Sequence, residues 1–195
     1  MSKRIERGQA TRQRLVATAA RLFTDRGYEA TSIEDILEET GVSRGALYHH
    51  FDGKEAVLEA VLQEIEAEVA QATVEASRGA RDPAAALRAG CEAFLELAQT
   101  RRIRQIALID APAALGWQKW REIEAQHGLG LLKAALSRAA EAGRLRTEQV
   151  DLFAHMLLAA LIEVALMIAR SQNSKAAAQR GRKAVTRLID ALLTG

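Results

Sequence analysis

The sequence is poor in whatever staples or interrupts a chain. Its 195 residues include one cysteine, Cys91. That excludes an intrachain disulfide framework and fits a reducing interior, with Cys91 most simply a small buried apolar side chain and redox sensing the lesser alternative. Two prolines, Pro83 and Pro112, are too few breakers for a disordered chain. No window alternates β-branched and polar residues between hairpin dipeptides, so no sheet is expected. Neither charge dominates: 27 Lys and Arg against 25 Asp and Glu leave a net +2, too little to argue for nucleic acid by itself. Catalytic signatures are missing as well. There is no GxSxG, HExxH or Walker loop, and the GLG at Gly128 to Gly130 lacks the next glycine and the preceding strand of a dinucleotide site. His49 and His50 point about 100° apart on a helix, and His127 and His155 have no paired ligands. Enzyme activity, a metal and a cofactor are therefore not expected. The N-terminus is charged from Lys3 and has no apolar stretch, so the expectation is a protein without a secretory signal, in the cytoplasm.

What is present is helix. Residues are 49% hydrophobic, rich in alanine and leucine, and long enough in total for one large or two small cores. The stretch from Thr31 to Lys54, TSIEDILEETGVSRGALYHHFDGK, organises the rest. Ser32 can cap a first helix by accepting from the amide of Asp35, with Asp35 answering as a loose capping box. Ile33, Ile36 and Leu37 recur at helical spacing, and Gly41 can take the left-handed conformation just past the helix end. Ser43 then caps a second helix, in which Leu47, with His50 or Phe51 one turn on, faces inward. Arg44, Gly45, Tyr48 and His49 share the outward side. The pattern reads as helix-turn-helix, although helix, glycine turn, helix also occurs in all-α domains that never touch DNA. Arg44 can pair with guanine or hold a phosphate, and Gly45 lets backbone approach closely.

Before it, Leu15, Ala19, Leu22 and Phe23 form the stripe of a helix from about Gln9 to Arg26 that should pack beneath the pair. Lys3, Arg4, Arg7, Arg12, Arg14, Arg21 and Arg26 crowd this segment, as an arm lying along phosphates or as a solvated helix face. After Asp52-Gly53 comes a long helix from about Lys54 to Ser77, with Val57, Val61, Ile65 and Val69 inward. Lys54 at its start is electrostatically unfavourable unless an anion such as a phosphate lies beside it. SRGARDP, 77 to 83, is the clearest linker. Leu87, Cys91, Phe94 and Leu97 mark a helix from Ala84 to Gln99, Ile103, Ile106 and Ile109 a short one, and the stretch from Asp110 through Pro112 to Gly116 should break the chain, by the proline and by the glycine after it. Trp117 and Trp120 open a helix running to about Ala142.

Val150 to Arg170 is apolar nearly all round apart from His155 and Glu163. A membrane span is rejected for it in favour of a helix buried by its own domain on one side and a second subunit on the other. His155 reads as a hydrogen-bonded core or interface residue rather than a pH sensor. The last helix, about Lys175 to Leu193, carries Ala177, Gly181, Ala184, Leu188 and Leu192 as a stripe permitting close approach; together the last two helices can make an intermolecular four-helix bundle. A small-molecule pocket is expected around Trp117, Trp120, Arg104, Arg121, Met156, Met167 and Glu163, with Phe94 and Leu108, although the same residues could be ordinary core. Glu163 should need a partner, through a structural ion pair or a ligand.

The run from Thr11 to Leu58, with ARLFTDRGYEATSIEDI and GVSRGALYHHFDGKEAVLEAV, resembles the N-terminal domain of the TetR family of bacterial transcriptional regulators. Residues 101 to 121, RRIRQIALIDAPAALGWQKWR, resemble less specifically the middle of a C-terminal type in that family. The resemblance implies an all-α protein with a three-helix helix-turn-helix headpiece at residues 1–53 and a larger helical effector-binding and dimerisation domain at 54–195. It implies DNA contact by Thr31, Ser32, Ser43, Arg44, Gly45, Tyr48, His49, His50 and Lys54. The function it implies is a homodimeric repressor, paired through the last two helices, bound to a palindromic DNA operator and released by a small-molecule effector. The competing class is a helical effector-binding or protein-interaction module without specific DNA binding.

Overall fold

The computed structural model describes residues 3–193 of the chain, with side chains from 5 onward, and these are helical throughout with no strand among them. The expected side chains of Lys3 and Arg4 lie outside the described residues. The helices are α1 (Lys3–Arg26), α2 (Ile33–Thr40), α3 (Arg44–His50), α4 (Lys54–Ser77), α5 (Pro83–Leu97), α6 (101–115), α7 (Trp117–Glu141), α8 (Val150–Arg170) and α9 (Ser174–Leu193). Two compact units emerge: residues 1–65 with 101–120, and residues 66–100 with 121–195. The expected division at residue 53 falls inside the first unit, because α4 and α7 are each long enough to contribute residues to both.

In the first unit, Leu15, Val16, Ala19, Leu22 and Phe23 of α1 are fully buried, together with Ile36 of α2, Leu47 of α3 and Val57, Leu58 and Val61 of α4. Burying an aliphatic or aromatic side chain of this kind contributes about 1.5 to 3 kcal/mol each before entropy is set against it. α1 begins six residues earlier than the apolar stripe alone required. α6 joins this unit through polar contacts: Asp110 accepts from the Tyr28 amide at 2.9 Å and from Gln105 Nε2 at 3.0 Å, and Arg101 donates to the Asp25 carbonyl at 3.2 Å.

The break expected at Pro112 is not there. Arg101–Ile103 is α-helical, Arg104–Asp110 a π-helical stretch and Ala111–Leu115 α-helical again, with Pro112 in the first turn of that last segment. The Ala111 amide bonds back five residues to Ile106, so the wider turn precedes the proline and the ring meets no continuing i→i−4 ladder. The chain turns at Gly116, the end of the stretch expected to break, with φ 78° and ψ 154°.

The second unit packs α9 against α8 and α5. α5 starts at Pro83 in the first turn, with Asp82 capping it by accepting from the Ala85 amide at 3.0 Å. Leu157, Ala165 and Ile189 are buried at the helix contacts. The segment Thr147–Arg170 is long and apolar enough to cross a membrane by length and composition, yet 44% of its most apolar stretch is buried inside the protein. Of the small-residue stripe of α9, Gly181 packs within the chain and Ala184 is exposed. A Cβ on Gly181 would lie 2.5 Å from Val164 Cγ1, so glycine is what lets α9 approach α8.

Candidate functional site

The turn between α2 and α3 forms as its local chemistry dictates. Ser32 Oγ accepts from the Asp35 amide at 3.1 Å, and the Ser32 amide donates to Asp35 Oδ2 at 2.7 Å, completing the capping box. The Ser32 hydroxyl also donates to Asp35 Oδ2 at 2.5 Å, and this bond, with that from the Ser32 amide, holds the Asp35 carboxyl below its ordinary range. Gly41 is left-handed at φ 64°, ψ 15°, and Ser43 Oγ accepts from the Ala46 amide at 3.2 Å. Leu47 and Phe51 are both buried, which fixes the opposite face outward.

That face carries Ser43, Arg44, Gly45, Tyr48 and His49, all exposed, with Tyr48 at 48%. The Arg44 guanidinium pairs with the Glu34 carboxylate of α2, and this hydrogen bond raises the Arg44 pKa. Thr31, of the expected set, is 1% exposed, and its hydroxyl donates to the Gly27 carbonyl at 2.9 Å, which closes the turn before α2. Ser32 is exposed but its hydroxyl serves as the α2 cap. His50 is half-buried, 5.2 Å from the His49 ring and 6.4 Å from Phe51.

At the N-terminus of α4, Lys54 has partners within its own chain. Its Nζ donates to the Tyr28 carbonyl at 2.9 Å and sits 4.1 Å from the Tyr28 ring centre, so a carbonyl and a π-face offset the unfavourable helix dipole. Of the basic residues on α1, Arg21 and Arg26 pair with Glu39 and Asp35 of α2. Arg7, Arg12 and Arg14 are exposed, with Arg12 packed 5.2 Å over the Phe51 ring.

The second unit encloses a cavity of about 440 Å³, within the range of small-molecule sites. Val69, Leu87, Phe94, Leu131, Leu158 and Leu161 supply its apolar wall. Its polar lining includes two acids, Glu66 of α4 and Glu124 of α7, 9% and 4% exposed. Arg121 Nη1 donates to Glu124 Oε2 at 2.8 Å. Burial pushes the Glu66 carboxyl up to about 7; burial and the charge of Glu66 push Glu124 up to about 8, against the pull of Arg121. Cys91 also lines the cavity, and burial, aided by Glu92, pushes its thiol up to about 12, which leaves it protonated and unreactive.

Of the residues expected to surround a ligand, Phe94 alone lines this cavity. Arg104, Leu108, Trp117 and Trp120 belong to the first unit. There Trp120 is buried, Leu108 is buried, and Trp117 is 58% exposed with its ring 4.9 Å from that of Trp120. Arg121 reaches the cavity only through Glu124. Met156, Glu163 and Met167 are exposed on α8, the methionines at 50% and 62%. Glu163 therefore keeps its hydration within one chain and needs no compensating partner there, and His155 is likewise exposed, 3.9 Å from Asp151. The side of α8 buried within one chain is filled by Ala154, Leu157, Leu158, Leu161 and Ala165.

The family model for bacterial regulatory proteins of the tetR family matches residues 15–61, and that for the tetracyclin repressor-like C-terminal domain matches residues 84–192. A crystal structure of a TetR-family transcriptional regulator from Pectobacterium atrosepticum superposes with a TM-score of 0.87 at 30% identity, covering 100% of this chain and 99% of that one. The transposon Tn10 TetC protein of Escherichia coli is 25% identical over 161 residues, 83% of this chain and 81% of that protein. The HTH-type transcriptional repressor KstR2 of Mycolicibacterium smegmatis is 45% identical over 53 residues, 27% of this chain and 26% of its own length.

Proposed function

The chain belongs to the TetR family, as a transcription regulator with a helix-turn-helix DNA-binding domain, and on that premise we propose that it is a repressor that binds a palindromic operator as a homodimer and is released by a small molecule. The observation that carries the DNA half of this reading is the outward face of α3. Ser43, Arg44, Gly45, Tyr48 and His49 are exposed on a short helix pinned from beneath by Leu47 and Phe51. Such a helix can enter a major groove, where Arg44 leaves Glu34 for a guanine edge or a phosphate. Arg7, Arg12 and Arg14 of α1 supply further phosphate partners.

The dimer rests on α8 and α9. Leu152, Met156 and Met167 are 50% or more exposed along one side of α8, an apolar stripe that a second copy would cover, with Glu163 among them. Two headpieces one duplex turn apart, about 34 to 36 Å, would then meet successive major grooves. The cavity of the second unit is the effector site in this reading. An effector shifts the protein away from its DNA-competent state by no more than its differential affinity for the two states. The protein works in the cytoplasm, where its DNA is.

Gel shift against DNA upstream of its own gene, across a salt series, tests the reading. A specific, salt-sensitive band is expected, and Arg44→Ala should weaken it by about 1 to 3 kcal/mol with folding intact. Absence of any specific band would leave a helical effector-binding module, and unchanged affinity in Arg44→Ala and Tyr48→Ala would remove α3 as the reading helix.

A further inference from the structure

Glu66 is the side chain that the proposed function does not use. It lines the cavity, is 9% exposed, and makes no hydrogen bond or ion pair among the described residues. Its oxygens are nevertheless not sealed in: among those residues, the single fully covered side-chain polar atom without a partner is Trp120 Nε1. An acid that is buried, unpartnered and still reachable opens onto the cavity. Beside it, Glu124 holds one guanidinium, that of Arg121. That guanidinium is bonded to Glu124 and not to Glu66, and half-buried His127 also lines the cavity.

We propose that the cavity is built for an effector with a cationic N–H head on an apolar body, Glu66 being the counter-ion that receives the head. The proposal rests on the cavity being the effector site. An ammonium donates a charge-assisted hydrogen bond to the Glu66 carboxylate in place of the proton that burial favours there, while the aliphatic and aromatic wall, with Val69, Phe94, Leu131 and Leu158, takes the body. Burial raises both acids, and a cation bound beside them would draw both back down. Other charged groups also line the cavity. Arg78, Arg81 and Arg138 are exposed, and Arg78 is paired with Glu75 at 2.6 Å. An anionic effector could meet those arginines, but only by leaving Glu66 bare inside the cavity.

Titration calorimetry on the full chain, with three ligands of one shape, separates these cases: diphenylpropylamine, the matching diphenylpropanol and diphenylpropanoate. The amine should bind at least about tenfold tighter than the alcohol, and the acid most weakly. Glu66→Gln should bring the amine to within about threefold of the alcohol and leave the alcohol unchanged, whereas Glu66→Asp, which keeps the charge, should retain most of the preference. Melting curves on both variants establish that they fold, and failure of Glu66→Gln to fold shifts the comparison to Glu66→Asp and Glu124→Gln. Alcohol or acid binding as tightly as the amine in the wild type, or an amine preference that survives Glu66→Gln, would overturn the cation while leaving an effector cavity in place. No binding by any of the three at millimolar concentration would sink the effector cavity itself, and the proposal with it.

Discussion

Replacing Glu66 with glutamine should make the protein more stable at alkaline pH than the wild type, with the gain vanishing in acid. Burial raises the Glu66 pKa from 4.5 to about 7. An acid whose folded pKa is raised favours the fold fully below its unfolded pKa, and that contribution is lost as pH rises through the folded value. At 1.36 kcal/mol per pKa unit the whole loss is about 3 kcal/mol, and about 2 to 3 kcal/mol of it falls between pH 5 and pH 8.5. Glu124, raised to about 8, adds to the slope in the same direction, and glutamine at 66 eases it by removing the neighbouring charge. For a chain of this length 1 kcal/mol moves the melting temperature by about 2 to 4 °C. The difference in melting temperature between Glu66→Gln and wild type should therefore rise by about 5 to 10 °C from pH 5 to pH 8.5, at constant ionic strength and without ligand. Any fixed cost of burying an unpaired amide cancels, because it does not depend on pH. Two melting curves that run parallel across this range would refute the reasoning, since the acid would then not be ionising at any cost to the fold.

Gly41→Ala meets no neighbouring atom but must hold φ 64°, so a loss of about 1 kcal/mol is expected in chemical denaturation from backbone strain alone. Gly181→Ala should cost about 1 to 3 kcal/mol because its methyl overlaps Val164, and an unaltered denaturation midpoint would mean that α8 and α9 can separate freely. Met167→Glu, at a position 62% exposed in one chain, should leave the fold intact and yield monomers by light scattering, whereas Leu161→Glu, buried beside the cavity, should misfold. Persistent dimers in Met167→Glu would move the interface away from this stripe of α8.

The headpiece was legible because its chemistry is local. The Ser32 cap and its Asp35 answer lie three residues apart, Gly41 needs only its own φ, and Leu47 and Phe51 are one turn apart, so sequence spacing is already three-dimensional spacing. The cavity is assembled from α4, α5, α7 and α8, and no spacing along the chain encodes which of their faces converge. Large side chains proved a poor guide to it: Trp120 went to the core of one unit, Trp117 and Met167 to the surface, and smaller residues such as Val69 and Leu158 line the space. Pro112 misled for a related reason, since a proline rule stated for α-helix does not foresee a π-helical stretch ahead of it.

One signal for the cavity did lie in the sequence. On α4 the buried residues Leu58, Leu62, Ile65 and Val69 mark an inward stripe, and Glu66, four residues after Leu62, falls in register with it. On α7, Glu124 stands four residues after buried Trp120 and next to buried Ile123. An acid at a core position of an amphipathic helix is costly unless something offsets it, while exposed acids off the stripe, such as Glu68 and Glu122, bear no such cost. Searching for the charge that breaks the apolar register, rather than for the largest apolar side chains, leads from α4 and α7 separately to the same two carboxylates. What the sequence does not contain is their meeting, through which the charge of Glu66 raises Glu124 further while Arg121 pairs with Glu124.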